Sequence, residues 1–372
     1  MTTSPRPDAG RNASPYLYGP EQAAMEQVLA SGHFGHGRAT EDFEAGVARF
    51  LGVRDAVAVS SGTSALHLAL LAADLGPGSE VIVPSLTFCA TIQAIVAAGA
   101  RPRFVEVDPR TLCITPEIVA EALTPATGAV LPVLFGGRAV DLTPLHGTLV
   151  QRGVTIVEDA AHAFGSRQGA RWVGSTGDLT CFSFGPIKNL TCGQGGMVIP
   201  RSAAEAERLR SLRSLGVPAT AERRAASTSY EVTTFGFRAH MSTLNAAIGI
   251  VQLAHFAVAE SSRRHLWRVY ERALNDVPGV ELVDVDADNS VPHLAVVRVP
   301  ARDRVWRFMR ERGVGVGVHY PPNHDQPAFA PWHRRLPVTE RLGQQIMTLP
   351  FHQHLTEDDV RHVVSVLRQA LR

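Results

Sequence analysis

Between residues 55 and 159, short apolar runs alternate with stretches of helical spacing, and this rhythm limits the fold more than any other feature of the chain. The runs are DAVAVS (55–60), EVIVP (80–84), PRFVEV (102–107), AVLPV (129–133) and VTIVED (154–159). Helical spacing fills the gaps at 63–75 and 88–98, after Thr115-Pro116-Glu117, and again before residue 154. Buried strands this short, each followed by a helix, build βαβ units and a mainly parallel sheet. Ahead of them, helical spacing begins near Glu21 and resumes at Thr40, an expected N-cap followed by Glu41 and Asp42.

After Asp159 the rhythm changes. LTCFSF (179–184) and GGMVIP (195–200) read as two strands joined by a loop, followed by a helix over 203–215 and a polar stretch at 219–229 that is expected to be mobile. One long helix is expected from Ser242 past Tyr270, carrying the chain into a smaller α+β unit with a strand at 293–299 and a helix at 302–312. A final helix opens at Thr356-Glu357-Asp358-Asp359, a capped and acidic first turn. The expected division is a flexible arm over 1–15, a large domain over 16–248 and a small domain over 249–372.

Composition removes several classes of function. Lys plus Arg is 36 and Asp plus Glu is 35, so the chain lacks the basic footprint of a nucleic-acid binder. Cys89, Cys113, Cys181 and Cys192 form no CxxC pair, and the fifteen histidines show no HExxH spacing, so neither a disulfide framework nor a metal is expected. The first twenty residues carry no apolar signal core and no run is long enough to span a bilayer, which predicts a soluble, cytoplasmic protein with no membrane partner.

Three segments carry chemistry. In SSGTSALHLAL (60–70) a strand gives way to a helix through Gly62, Thr63 and Ser64. Such a turn offers N–H groups to an anion, although an ordinary capping turn has the same form. VTIVED ends in Glu158-Asp159 at a strand's carboxyl end, where open α/β sheets bind ligands. Asp159 suits a cationic ligand group there, or a helix cap. Lys188 stands alone among apolar and small residues in FSFGPIKNLTCGQGGMVI (182–199). Its amine is either a depressed-pKa nucleophile or a cation that snorkels to solvent. Pyridoxal 5′-phosphate (PLP) needs an anion cradle, a carboxylate for its pyridine nitrogen and a lysine for its Schiff base, so one ligand accounts for all three segments.

The chain resembles the DegT/StrS group of PLP-dependent sugar aminotransferases, within the aspartate-aminotransferase fold type (fold type I). The resemblance runs from about Tyr18 to about Leu371. It rests on FEAGVARFLG (43–52), SSGTSALHLAL (60–70), VPSLTFCAT (83–91), VEDAAHAFGS (157–166), CFSFGPIKNLTCGQGGMV (181–198), MSTLNAAIG (241–249), HYPPNH (319–324) and LPFH (349–352), in the family's order. It implies that Lys188 forms the Schiff base, that Asp159 pairs with the pyridine nitrogen, and that Gly62, Thr63, Ser64 and Ser183 bind the phosphate. Phe88 matches the aromatic residue that stacks on the ring, and His162 the Gln or His beside the cofactor's phenolic oxygen. Arg238 stands where the family often has an Asn that reaches the neighbouring subunit's cofactor phosphate; Arg can pair bidentately with phosphate, so that role can survive. His319, Tyr320 and His324 match the segment near the sugar cleft.

The resemblance also implies a function: amino transfer from L-glutamate or L-glutamine to a nucleotide-linked keto-deoxysugar, in ping-pong fashion, by a homodimer with shared active sites. Transfer to a keto-cyclitol is a second reading. A sugar-dehydrating branch carries His at the lysine position, so Lys188 speaks against it. A regulatory subunit that keeps the fold without catalysis is a third reading, opposed by the intact Lys188, Asp159 and phosphate turn.

Overall fold

A computed structural model describes residues 9–76, 78–217 and 226–372. The apolar runs form strands β1 (Val57–Val59), β2 (Glu80–Pro84), β3 (Arg101–Val105), β4 (Thr127–Val130) and β5 (Thr155–Asp159). A two-strand hairpin follows, β6 (Arg167–Gln168) with β7 (Arg171–Trp172), and then β8 (Leu179–Ser183) and β9 (Gly196–Ile199). The main sheet has the order β1-β9-β8-β5-β4-β2-β3. Pairing is parallel from β3 through β8, and β9 alone runs antiparallel to its neighbours. The mainly parallel sheet expected from the alternation is therefore present. Two apolar cores cover it, one holding Phe43, Phe135, Phe182 and Phe184, the other Leu66, Ile95, Phe104 and Leu209.

The early helices are α1 (Glu21–Ser31), α2 (Arg38–Leu51), α3 (Gly62–Ala72), α4 (Cys89–Ala97), α5 (Pro116–Ala122), α6 (His146–Gln151) and α7 (Ala203–Arg213). Thr115 caps α5 as its sequence predicts, its side chain accepting the Ile118 N–H. Thr40 does not cap α2. The cap is Gly37, and Thr40 is buried inside the first turn, with Oγ1 donating to the Met241 carbonyl at 3.5 Å. The expected long helix is in fact two, Thr243–Ala254 and Phe256–Leu274, bent by 65° at His255. The expected domain division after residue 248 falls inside the first of these. Phe256 and Ala259 still pack into the main core, whereas Leu266 and Tyr270 belong to the next one.

The C-terminal region centres on the antiparallel strands β10 (Glu281–Leu282), β11 (Ala295–Arg298) and β12 (Ile346–Leu349). Helices Phe256–Leu274, Arg302–Glu311 and Glu357–Ala370 enclose its core around Tyr270, Met309, Met347 and Leu367. The last helix opens on the capping box predicted at Thr356, completed by Asp359. Helix Pro337–Gln345 runs straight into β12, and the sequence pattern signals neither. Residues 9–12 are not the loose arm expected: Asn12 Nδ2 donates to the carbonyls of Thr348 and Leu349 at 3.1 and 3.2 Å, and Gly315 N–H donates to the Ala9 carbonyl at 2.8 Å. The remainder of that arm, 1–8, and most of the polar stretch at 219–229 lie outside the described residues. Among the described residues, no single helix is long and apolar enough to cross a membrane.

Candidate active site

The parallel strands end along one edge of the sheet, and the chemistry gathers there. Ser60 and Ser61 follow β1, Ser85 to Phe88 follow β2, Asp159 ends β5 and Ser183 ends β8. Because β9 returns antiparallel beside β8, the loop that joins them stays at the same edge, and it carries Lys188.

The turn into α3 is clamped from two sides. A Cβ on Gly62 would lie 2.7 Å from the Ser183 Cβ, and one on Gly196 would overlap the Ser61 carbonyl, so both positions require glycine. Ser61 caps the helix, its hydroxyl accepting the Ser64 N–H at 3.0 Å. The first N–H groups of the helix, those of Gly62 and Thr63, have no intrahelical acceptor, and the helix dipole adds to their pull on an anion. Thr63 is exposed beside them. Ser64 Oγ is already engaged, at 3.0 Å from both Ser60 Oγ and Ser61 Oγ. This cradle fits a phosphate held by main-chain donors, with Thr63 and Ser183 at its rim.

Asp159 is buried. Thr91 Oγ1 donates to its Oδ2 at 2.7 Å and the Ala161 N–H donates to its Oδ1 at 3.1 Å. Burial nevertheless raises its pKa above the ordinary carboxylate value, against those two hydrogen bonds and the charge of Lys188. Burial likewise pulls Lys188 down to about 8; Asp159 opposes that shift and the Arg263 guanidinium adds to it. A buried carboxylate and a half-buried amine thus feel each other's charge at the strand ends. The loop is held on both sides of the amine: Asn189 Nδ2 donates to the Val291 carbonyl at 2.9 Å, and Asn245 Nδ2 donates to the Cys192 carbonyl at 2.7 Å.

Three histidines surround this pair. His162 Nδ1 accepts the Gly136 N–H at 3.3 Å, so its proton belongs on Nε2, which lies 3.2 Å from the Tyr320 hydroxyl. Burial holds His162 well below the ordinary imidazole value, and the charges of Lys188 and His319 push it the same way. Its ring packs 4.3 Å from that of His293, whose Nδ1 lies 3.0 Å from Asn189 Oδ1. His319 is anchored to Thr348 Oγ1 at 2.9 Å, and burial drops its pKa to about 4. With the Tyr320 hydroxyl accepting from His162, its own proton is free to point into the site. Phe88 sits at the N-cap of α4 with its ring 5.5 Å from Tyr320, and it stays 54% exposed despite its size, as a ring that faces an open ligand site does.

The structure brings Gly62, Thr63, Ser64, Ser183, Asp159, Lys188, Phe88, His162, His319 and Tyr320 to one edge. Arg238 is exposed on the segment after α7, where it forms an isolated bridge with Ser214. His324 departs from expectation. Its side chain is fully enclosed, with Nδ1 2.6 Å from Ser85 Oγ, so it cannot touch a diffusible sugar. Thr91, Asn189 and His293 escaped the sequence reading. No local pattern marks them, because each acts through a partner distant in the chain.

Among known proteins, the model of the DegT/DnrJ/EryC1/StrS aminotransferase family matches residues 16–368. The aminotransferase TlmJ from Streptoalloteichus hindustanus superposes with a TM-score of 0.90 at 37% identity, covering 97% of this chain and 98% of that one. DesV of S. venezuelae gives a TM-score of 0.87 at 36% identity over 95% of this chain and 94% of its own. DesI, solved in the presence of its TDP-sugar product, gives 0.87 at 31% identity, covering 100% of this chain and 95% of that one.

Proposed function

The chain belongs to the DegT/DnrJ/EryC1/StrS aminotransferase family, and from that premise we propose that it moves an amino group from L-glutamate or L-glutamine to a nucleotide-linked keto-deoxysugar. It is a PLP-dependent transaminase of fold type I. The observation that carries the finer reading is the electrostatic coupling of half-buried Lys188 to buried Asp159, at the same sheet edge as the Gly62 cradle. DesI, with its TDP-sugar product, supports a nucleotide sugar as the amino acceptor.

When bound, pyridoxal phosphate supplies an aldehyde that condenses with amines and a ring that withdraws electrons from the substrate carbon. The chain's residues supply the rest. Main-chain N–H groups of Gly62 and Thr63, with the hydroxyls of Thr63 and Ser183, hold the phosphate. Asp159 keeps a proton on the pyridine nitrogen, and Thr91 fixes its carboxylate. Phe88, exposed at the N-cap of α4, would lie against the ring. Neutral His162 orients the Tyr320 hydroxyl toward the phenolic side.

Lys188 Nζ would hold the cofactor's aldehyde and is the group at the site able to move a proton to and from the substrate carbon. A pKa near 8 lets the amine both accept and donate at neutral pH, as a group that works in both directions must. His319 and Tyr320 line the sugar side.

A homodimer with shared sites belongs to this proposal. Tyr230, Val232, Phe235 and Phe237 are exposed on the stretch that leads to Arg238, and Phe235 is 97% open to water. Large apolar side chains in such a row mark an interaction surface, and a second copy covering them would carry Arg238 toward its own cradle. Light scattering on the purified protein tests this, and a monomer that binds PLP at full strength would refute it. The test of activity mixes PLP-loaded protein, a dTDP-linked keto-deoxysugar and L-glutamate or L-glutamine. Formation of the amino sugar together with the keto acid is expected. Loaded protein that transfers nitrogen from neither donor would overturn the proposal.

A further inference from the structure

A second cluster, unused by the proposed chemistry, lies just beyond Tyr320. His324, Asp325 and His333 bring one nitrogen or carboxylate oxygen each to within 4.8 Å of one another. His324 Nε2 stands 3.4 Å from Asp325 Oδ1 and 3.7 Å from Glu340 Oε1, and His333 Nε2 stands 3.7 Å from Asp325 Oδ1. These separations are long for hydrogen bonds between an imidazole and a carboxylate. His324 Nε2 is sealed from solvent and makes no hydrogen bond at all. A buried ring nitrogen left without a partner is costly unless something else satisfies it.

The distances suit an ion. Zinc bound tetrahedrally at about 2.0–2.1 Å from nitrogen and oxygen sets its ligand atoms roughly 3.3 Å apart along each edge. We infer that His324 Nε2, His333 Nε2 and the Asp325 carboxylate form a zinc site, closed by side-chain rotation at the two exposed residues, with Glu340 within reach of His324 as a fourth donor.

The surroundings are those of a ligand set. The His324 ring is fixed through Nδ1 by Ser85 Oγ at 2.6 Å, and the same oxygen accepts the His324 backbone N–H at 3.0 Å. A ring that gives its Nδ1 proton to Ser85 presents Nε2 as a lone pair, the usual arrangement behind a metal-bound histidine. Glu340 Oε1 is in turn held by the Leu336 N–H at 2.7 Å. Asp325, His333 and Glu340 remain partly exposed, which leaves the ion a way in from solvent. Imidazole nitrogens favour zinc over calcium or magnesium, and Glu340 as the fourth ligand would make the site structural, with no position open for catalysis. The ion would tie the turns Asn323–Asp325 and Pro327–Trp332 to helix Pro337–Gln345, fastening the segment that follows Tyr320.

The test uses the full-length, PLP-loaded protein, stripped of metal with a chelator and titrated with zinc chloride in a calorimeter. Cobalt provides a second readout through the visible spectrum of a tetrahedral site. One zinc per chain is expected. His333→Ala and Asp325→Ala, both at partly exposed positions that the fold tolerates, should each weaken it at least about tenfold, and Ser85→Ala by about 10–100-fold. The cofactor's own phosphate can also attract zinc, but that binding survives in both exposed-ligand variants. Unchanged affinity in His333→Ala and Asp325→Ala, or no binding in the unaltered protein beyond that of a variant carrying both substitutions, would overturn the inference.

Discussion

His162, His293 and His319 surround Lys188 with neutral hydrogen-bond partners only: a main-chain N–H, a tyrosine, an asparagine and a threonine. His324 and His333 instead point at Asp325 and Glu340. The same side chain therefore serves two ends within one small region. Around the lysine, burial without a counter-charge keeps the rings uncharged, so they shape and hydrogen-bond the site without competing for its protons. At the rim, carboxylates spaced too widely to hydrogen-bond leave room for a cation. Partner chemistry, not the imidazole itself, decides the outcome.

Perturbing one cluster should leave the other untouched, and the strongest way to ask is Lys188→Ala. Transamination should fall on the order of 10⁴-fold, the visible band of covalently held cofactor should vanish, and zinc affinity at the rim should not change. Loss of zinc binding in the same variant would merge the two regions into one site. Next comes Asp159→Ala, expected to cost about 10²–10³-fold in kcat. Because Asp159 raises the Lys188 pKa, its removal should also shift the pH midpoint of cofactor attachment downward. An unmoved midpoint would mean that the two groups are not coupled.

Gly62→Ala tests the cradle alone. Its new Cβ must displace Ser183, a strain of about 1–3 kcal/mol, and equilibrium titration should find PLP bound roughly tenfold or more weakly, with the kcat of the saturated enzyme much less affected. The smallest effect is one of pH. An amine at about 8 is mostly charged at neutrality, so the rate of cofactor attachment to the stripped protein should rise about tenfold between about pH 7 and pH 9, then level off. A rate still climbing well past that range would show an unperturbed lysine and an open, water-filled site.

Much of this was legible in residues alone. EVIVP reads as a buried strand and is one, and Thr356 caps the last helix as expected, because strand hydrophobicity and capping are local; Thr40 fails as a cap because the fold draws it inside the first turn. The bend at His255 was not legible, since helix-forming residues continue through it without Gly or Pro. Helix Pro337–Gln345 escaped because it passes into β12 with no intervening turn. In the site, Lys188 and Asp159 stand out as charged groups in apolar surroundings. The bond from Thr91 to Asp159 joins residues far apart in the chain, and no local pattern encodes it. His324 misled for a related reason: a histidine in a polar turn looks available until the fold shows that Ser85 has taken one face of it.

The antiparallel return of β9 bears on the order in which the molecule is assembled. Asp159, Ser183 and Lys188 sit on consecutive pieces of chain that pair directly, β5 with β8 and β8 with β9. Pairing those neighbours costs less loop entropy than a long-range contact, yet the Lys188 loop is fixed only when Val291 and Asn245 reach it. The cradle depends on β1, which comes from far upstream and must find β9 across a long loop. Amine and anion pocket alike thus wait for distant stretches of chain, and a cofactor in solution meets both only once the whole molecule has closed.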